Sequence, residues 1–291
     1  MRILITGASG QLGAYLIDRI VGQGGEVVAW TRSTSGERSG ILFQPVDLTD
    51  ASATERALDA ADPDAIIHAA ALSAAEAVRL DPVGAAAINV EATRRIADWC
   101  DRRSRRLVFT STDLVFDGSR AWNREDDPAE PILAYGMTKH RAETAVLGIG
   151  TGVVARFSLL YGPSRCGRPA FFDQAVRDFQ SGESRKFFED EYRTPLDLAT
   201  AAEILIRLTG SDLAGMIHVG GPERMSRFDL MRRAATALGL NPDLVRPSRR
   251  ADAVLAEPRP ADVSLDTTRL ASAFLDLHRP SVEEALGGVF H

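Results

Sequence analysis

The 291-residue sequence predicts an α/β fold, a doubly wound parallel sheet with a smaller C-terminal lobe interleaved with it. Three observations carry this prediction. Short apolar runs alternate with helix-like segments through the first half, the βαβ signature of a parallel sheet. A loop with glycines at regular spacing joins the first strand to the first helix. After residue 158 the alternation loosens at a turn-rich phrase, YGPSRCGRP, and resumes irregularly.

The expected strands are 2–6 (RILIT), 26–30, 41–44, 65–69, 106–111 and 153–157. Helices are expected near 11–22, 51–60, 84–103 and 135–147. The first of these carries Leu12, Leu16, Ile17, Ile20 and Val21 as a sheet-facing stripe. Beyond the break, 170–181 and 195–209 read as helices and 215–221 as a further strand. Residues 226–240 read as a helix with Ser226 as its N-cap. The stretch 247–265, rich in Pro, Arg and Asp, reads as a long ordered loop or a pair of short strands. The domains expected are therefore 1–157, with 194–220 returning to it, and a lobe made of 158–193 and 221–291.

With 45% hydrophobic and 25% charged residues the chain is an ordinary globular protein. Its net charge of −6 argues against nucleic acid as a partner. Cys100 and Cys166 have no metal-ligand or CxxC spacing and read as reduced thiols, so no metal is expected. The N-terminal apolar run is too short for a signal peptide, and no stretch approaches the ~20 apolar residues of a membrane helix. A cytoplasmic protein with no membrane partner is the expectation. A homodimer is compatible with the sequence, which locates no interface.

The phrase ITGASGQLGAYLI places Gly7, Gly10 and Gly13 where the first strand gives way to the first helix. Without side chains there, the backbone can turn tightly and approach a pyrophosphate seated on the helix N-terminus. The spacing is GxxGxxG rather than GxGxxG, but the strand–loop–helix context is met. Gly7, Ser9, Gly10, Gln11, Leu12 and Gly13 are thus candidates to bind a dinucleotide in a Rossmann-type fold. The end of the second strand reports which one. An acid there would bond the adenosine ribose 2′-hydroxyl and repel a 2′-phosphate. This chain has Thr31, Arg32 and Ser33 instead, so NADP(H) is favoured over NAD(H). Asp47 and Leu48, after the third strand, would hold an adenine edge, and the backbone of Ala69, Ala70 and Ala71 would skirt the cofactor. His68 reads as packed and hydrogen-bonded, and His140 as solvated.

Tyr135 and Lys139 stand one helical turn apart, after a strand that ends in Ser111 and Thr112. A free tyrosine titrates near 10, and bringing it to about 7 takes roughly 4 kcal/mol of differential stabilisation. A neighbouring ammonium in a site shielded from water is one source. Together with the glycine loop, these residues resemble the extended short-chain dehydrogenase/reductase family over nearly the whole chain. The resemblance implies that Thr112 orients a substrate carbonyl and that Tyr135 is the general acid or base. It implies that Lys139 lowers the tyrosine pKa and binds the nicotinamide ribose, and that Tyr135 also contacts the cofactor. It also implies that Asn89 distorts its helix and holds a relay water.

Within that family, STDLVFDG, AWNREDDPAEPILAYGMTKHRAE, ARFSLLYG, DEYRTPLDLATAAEIL and EPRPADVSLDTTRL are similar to the dTDP-4-dehydrorhamnose reductase branch. That branch reduces a keto group on a nucleotide-linked deoxysugar. Arg193 and Arg259 would then meet the substrate's diphosphate, with Val115 and Phe116 also lining the sugar pocket. Two positions depart from the branch, Leu114 and Leu159, where aromatic residues are usual near the sugar; their loss implies a changed or less polar ligand. Two other classes stay open: a nucleotide-sugar epimerase or dehydratase, and a non-catalytic NADP-binding subunit similar to that of methionine adenosyltransferase.

Overall fold

The first strand, β1 (Arg2–Thr6), feeds two cores at once: Ile3 and Ile5 point into one and Leu4 into the other, the period of two that a strand covered on both faces requires. The computed structural model describes residues 1–254 and 256–287. Leu255, in the expected loop at 247–265, and residues 288–291, at the end of the expected lobe, lie outside the described residues.

The chain continues through α1 (Gln11–Gly22), β2 (Glu26–Thr31), β3 (Glu37–Arg38), β4 (Ile41–Pro45), α2 (Ala51–Ala61) and β5 (Ala65–His68). Then come α3 (Ala75–Leu80), α4 (Pro82–Ala86), a π-helical turn (Ala87–Glu91), α5 (Ala92–Arg103), β6 (Arg106–Thr112), α6 (Ala134–Leu147) and β7 (Gly152–Phe157). The later elements are β8 (Leu160–Tyr161), α7 (Phe171–Gln180), β9 (Arg185–Phe188), β10 (Tyr192–Arg193), β11 (Leu196–Asp197) and α8 (Leu198–Thr209). They are followed by β12 (Gly215–Val219), β13 (Met225–Ser226), α9 (Arg227–Ala237), β14 (Val245–Ser248), α10 (Thr268–Ala273) and α11 (Val282–Leu286).

The main sheet runs β12-β7-β6-β5-β1-β2-β4-β3, parallel throughout except for the antiparallel edge strand β3. The order reverses between β1 and β5, which opens a crevice at their C-terminal ends, where open α/β sheets bind ligands. One face is covered by α1 and α8 through Leu16, Ile17, Ile20, Leu205 and Leu208. The other is covered by α2, α5 and α6 through Leu58, Ile96, Trp99, Ala142 and Val146. Each such side chain contributes about 1.5–3 kcal/mol by leaving water. A third core, with Phe172, Phe179, Phe187, Leu230, Met231 and Val245, joins α7, α9, α11 and the β9–β14 pair.

Every strand and helix expected in the first half is present, with ends shifted by one or two residues. The helix expected over 84–103 is interrupted: the π-helical turn inserts one extra residue at Ala87–Glu91 and swings Asn89 inward, where it is 1% exposed. The α1 stripe is wider than the apolar pattern suggests, because Tyr15 is buried with its hydroxyl on the Pro163 carbonyl. In the second half β12 extends the main sheet beside β7, and Ser226 caps α9 by accepting from the Asp229 N–H. The stretch 247–265 holds the end of β14 and bridges Ser119 and Tyr192 through Asp262, and Asn123 through Leu265. Strands β8 to β11 and β13 were not expected; most are two residues long, too short for any periodicity.

Two glycines fix the geometry at the crevice. Gly7 has φ +71°, and a Cβ there would lie 2.8 Å from the Ala70 nitrogen. At Gly13 a Cβ would stand 2.6 Å from the carbonyl oxygens of Gly7 and Ala8. Both neighbours are backbone and cannot swing aside. Gly13→Ala is therefore expected to lose about 1–3 kcal/mol of stability, seen as a lower urea midpoint with an unchanged m-value.

Candidate active site

The crevice is a cleft of about 480 Å³. Gly7, Ser9, Gly10, Gln11, Leu12 and Gly13 line one side, Thr31, Arg32, Asp47 and Leu48 another, and Ala69, Ala70 and Ala71 a third. Of the residues expected there, Ser33 is not in the lining. Thr31 is 2% exposed and its hydroxyl donates to the Thr34 carbonyl at 2.6 Å, so it shapes the turn after β2. Arg32 is exposed. Asp47 is pulled below the ordinary carboxylate range by the hydroxyl and N–H of Thr49.

The cleft suits an anionic dinucleotide. Helix α1 begins at Gly10 with no side-chain cap, so its first-turn N–H groups face the cleft without an intrahelical partner. The Gly7 and Gly13 positions leave no room for side chains over that terminus.

Beyond Thr110, the last β6 residue in the lining, lies the β6–α6 junction. Tyr135 and Lys139 are not in the cleft lining, although both were expected to bind cofactor. A Cβ on Gly136 would sit 2.1 Å from the Leu114 carbonyl oxygen, so glycine there lets the first turn of α6 press against the chain that follows Thr112. The Ala134 N–H at the start of α6 donates to Glu257 at 2.9 Å, a cap supplied from 123 residues away. The sequence pattern gave no sign of it.

Burial pushes the Tyr135 phenol above its ordinary value, and the Asp113 charge adds to the shift. Burial likewise pulls Lys139 down to about 7, with Glu143 opposing. Among the protein's own groups burial thus sets the direction for both residues, outweighing any lowering of the tyrosine, because desolvation disfavours both charged forms. The Lys139 ammonium lies over the Phe109 ring, 3.9 Å from its centroid.

Two buried polar networks hold these groups. In the first, Thr93 donates to the Asn89 carbonyl, so its oxygen must accept from His68 Nε2, and Thr6 in turn donates to His68 Nδ1. Burial and the Lys139 charge hold His68 neutral, with a pKa of about 3. Asn89 clamps both backbone polar groups of Leu72 and donates to the Thr138 hydroxyl, which donates to the Tyr135 carbonyl. Its side chain faces inward, away from solvent.

In the second network Asp113 accepts from Arg193 at 2.8 Å, from Ser158 at 3.1 Å and from Thr112 at 3.3 Å. Burial nevertheless leaves its carboxyl above the usual range. Arg193, expected to meet a substrate diphosphate, also meets Glu191, so its guanidinium is buried and paired with two carboxylates. Arg259 is one-third exposed and 3.9 Å from Glu191. Val115 and Phe116 correct a second expectation: at 0% and 2% exposure they pack with Val263 and Leu265 as a small core. Apolar side chains on that turn gain more from the core than from a wet pocket.

The chain matches the RmlD substrate binding domain over residues 1–290. It belongs to that family. It is 32% identical to a dTDP-4-dehydrorhamnose reductase of Streptomyces griseus, over 94% of this chain and 88% of the other. It is 30% identical to methionine adenosyltransferase 2 subunit beta of Bos taurus, over 96% and 84%. A crystal structure of dTDP-4-dehydrorhamnose reductase from Bacillus anthracis in complex with NADP superposes with a TM-score of 0.84 at 25% identity, over 98% of this chain and 96% of that one. No helix among the described residues is long and apolar enough to cross a membrane, and none of their His, Cys, Asp and Glu side chains cluster as a metal site.

Glu143, one turn beyond Lys139, accepts two hydrogen bonds from Arg156 at 2.9 and 2.8 Å and one from Ser111. Burial pushes its carboxyl up, and Arg156, Ser111 and His140 outweigh that, leaving it below its ordinary 4.5. Glu143→Gln would leave the Arg156 charge buried and uncompensated, and should cost about 3 kcal/mol. A carboxyl held low in the folded state stabilises fully above its unfolded pKa and loses that contribution as pH falls through the folded one. The part of the gap between wild type and variant that comes from the carboxylate should therefore shrink in denaturant titrations as pH falls below about 4.

Proposed function

We propose that this chain is an NADP(H)-dependent oxidoreductase that reduces a keto group on a nucleotide-linked deoxysugar, in the manner of the dTDP-4-dehydrorhamnose reductases it resembles. The observation that carries this reading is the continuity of the site. Ala70, packed against Gly7 of the glycine cradle, is linked to the backbone carbonyl of Tyr135 by a run of buried and half-buried hydrogen bonds that passes through Thr6, His68, Thr93, Asn89 and Thr138. NADP(H) is favoured over NAD(H) because Arg32 rather than an acid follows β2. Residues 1–157 with 194–220 form the dinucleotide part in this reading, and 158–193 with 221–291 the substrate lobe.

When bound, the dinucleotide supplies the hydride. Tyr135 holds the proton at its phenol oxygen. The burial that raises its pKa keeps it protonated at neutral pH, the state a general acid needs. Thr112 accepts from the Leu114 N–H at 3.2 Å and makes a long bond of 3.3 Å to Asp113, which it exchanges for the substrate carbonyl. Lys139 is poised between charge states near pH 7, and Glu143 biases it toward the ammonium. That charge favours the tyrosinate left after proton transfer. Arg259, the more accessible arginine around Glu191, is the better candidate to face a diphosphate.

A second reading, an NADP-binding subunit without turnover, draws on the 30% identity to methionine adenosyltransferase 2 subunit beta and on the aliphatic Leu114 and Leu159. NADPH oxidation with a 4-keto-6-deoxy sugar nucleotide separates the two. The reductase reading expects loss of nicotinamide absorbance only when both ligands are present. Tyr135→Phe should lower kcat by about 10²–10⁴ while leaving NADPH affinity within a few-fold. Full activity in that variant would refute the assigned proton donor.

A further inference from the structure

The loop 162–169, between β8 and α7, is built onto the glycine loop of the opposite side of the cleft. Gln11 Nε2 donates to Ser164 Oγ at 2.9 Å and to the Arg168 carbonyl at 2.8 Å. Tyr15 donates to the Pro163 carbonyl at 2.8 Å, and Arg165 lies over the Tyr15 ring at 4.3 Å. Arg38 donates to the Arg165 carbonyl. The Arg168 side chain runs back across the cleft mouth, its Nη2 donating to the Ser9 carbonyl at 2.7 Å.

Arg168 therefore lines the 480 Å³ cleft beside Gly10 and Gln11, and also a neighbouring cleft of about 340 Å³ on the β3 side. The three arginines of this region differ in one respect. Arg38 and Arg165 both pair with Asp18. Among the described residues Arg168 has no carboxylate partner; its side chain is exposed and engages a neutral carbonyl. An unneutralised guanidinium fixed at the N-terminus of an uncapped helix is oriented for a ligand's negative charge.

We propose that Arg168 is a binding residue for the pyrophosphate of the dinucleotide, carried to the cleft by loop 162–169. The proposal rests on the dinucleotide reading above and deepens it. Position separates the two cleft arginines. Arg32 follows β2, where a 2′-phosphate distinguishes NADP(H), whereas Arg168 stands at Ser9 in the glycine loop, on a part common to both dinucleotides.

The test is titration of the full-length chain with NADPH and with NADH, followed by nicotinamide fluorescence. Wild type is compared with Arg168→Gln, Arg168→Lys and Arg32→Gln, each checked for folding by circular dichroism. Arg168→Gln should weaken both dinucleotides by about tenfold and by the same factor, and Arg168→Lys less. Arg32→Gln should weaken NADPH selectively. Raising salt should shrink the Arg168→Gln deficit, because a charge contact at the cleft mouth is screened and a loop brace is not. Unchanged affinity in Arg168→Gln, a loss confined to NADPH, or a deficit insensitive to salt would each overturn the proposal. Failure of the wild type to bind either dinucleotide would overturn the dinucleotide reading itself, and is seen before any substitution is compared.

Discussion

The C-terminal edge of the sheet depends on two places where backbone meets backbone with no side chain between them. Gly7 lies against Ala70, and Gly13 against the carbonyls of Gly7 and Ala8. The first contact joins the loops after β1 and β5, the two parallel strands between which the strand order reverses. The second sets α1 so close to its own entry loop that the helix N-terminus opens into the cleft. A methyl group at either point would push these elements apart and close or distort the space they enclose. The cleft is thus a consequence of main-chain packing, which glycine alone permits.

From that edge a run of hydrogen bonds leads to the backbone of the proposed proton donor. The Ala70 N–H donates to Thr6, Thr6 to His68, His68 to Thr93, and Thr93 to the Asn89 carbonyl. The Asn89 side chain then reaches Thr138 and, through it, the Tyr135 carbonyl. Each group is buried or nearly so, and leaving one unpaired would cost about 1–3 kcal/mol. Satisfied, the chain fixes the His68 tautomer and the start of α6 relative to the glycine cradle. Asn89 can take part only because the π-helical turn rotates it out of ordinary helical phase. The second network, around Asp113, Arg193 and Glu191, does the same for the turn after β6. It shows a chemistry different from the one its arginine suggested: Arg193 neutralises buried acids and thereby supports Thr112.

Much of the fold was legible in the sequence because its signals are local. Alternating apolar runs dictate strands, the Leu16–Ile17–Ile20 stripe dictates a sheet-facing helix, and Ser226 announces the start of α9. The glycine spacing likewise marks the cradle, since the need for φ above zero at Gly7 is written in one residue. The two-residue strands of the lobe were not legible, because pairing across more than thirty residues leaves no periodicity in so short a segment. Nor was the Glu257 cap on α6, or the reach of Arg168 to Ser9, both made by loops that meet only after folding.

By itself, then, the sequence determined the parallel α/β fold and the place of the glycine loop at the mouth of the cleft, because those follow from steric and hydrophobic patterns along one strand or helix. Only the tertiary structure decided what charge each group carries and whom it faces. Burial raises Tyr135 and lowers Lys139 to about 7, Val115 and Phe116 turn into a core, and Arg193 turns onto Asp113. Desolvation and ion pairing depend on everything within a few ångströms, and most of those neighbours are distant in the chain.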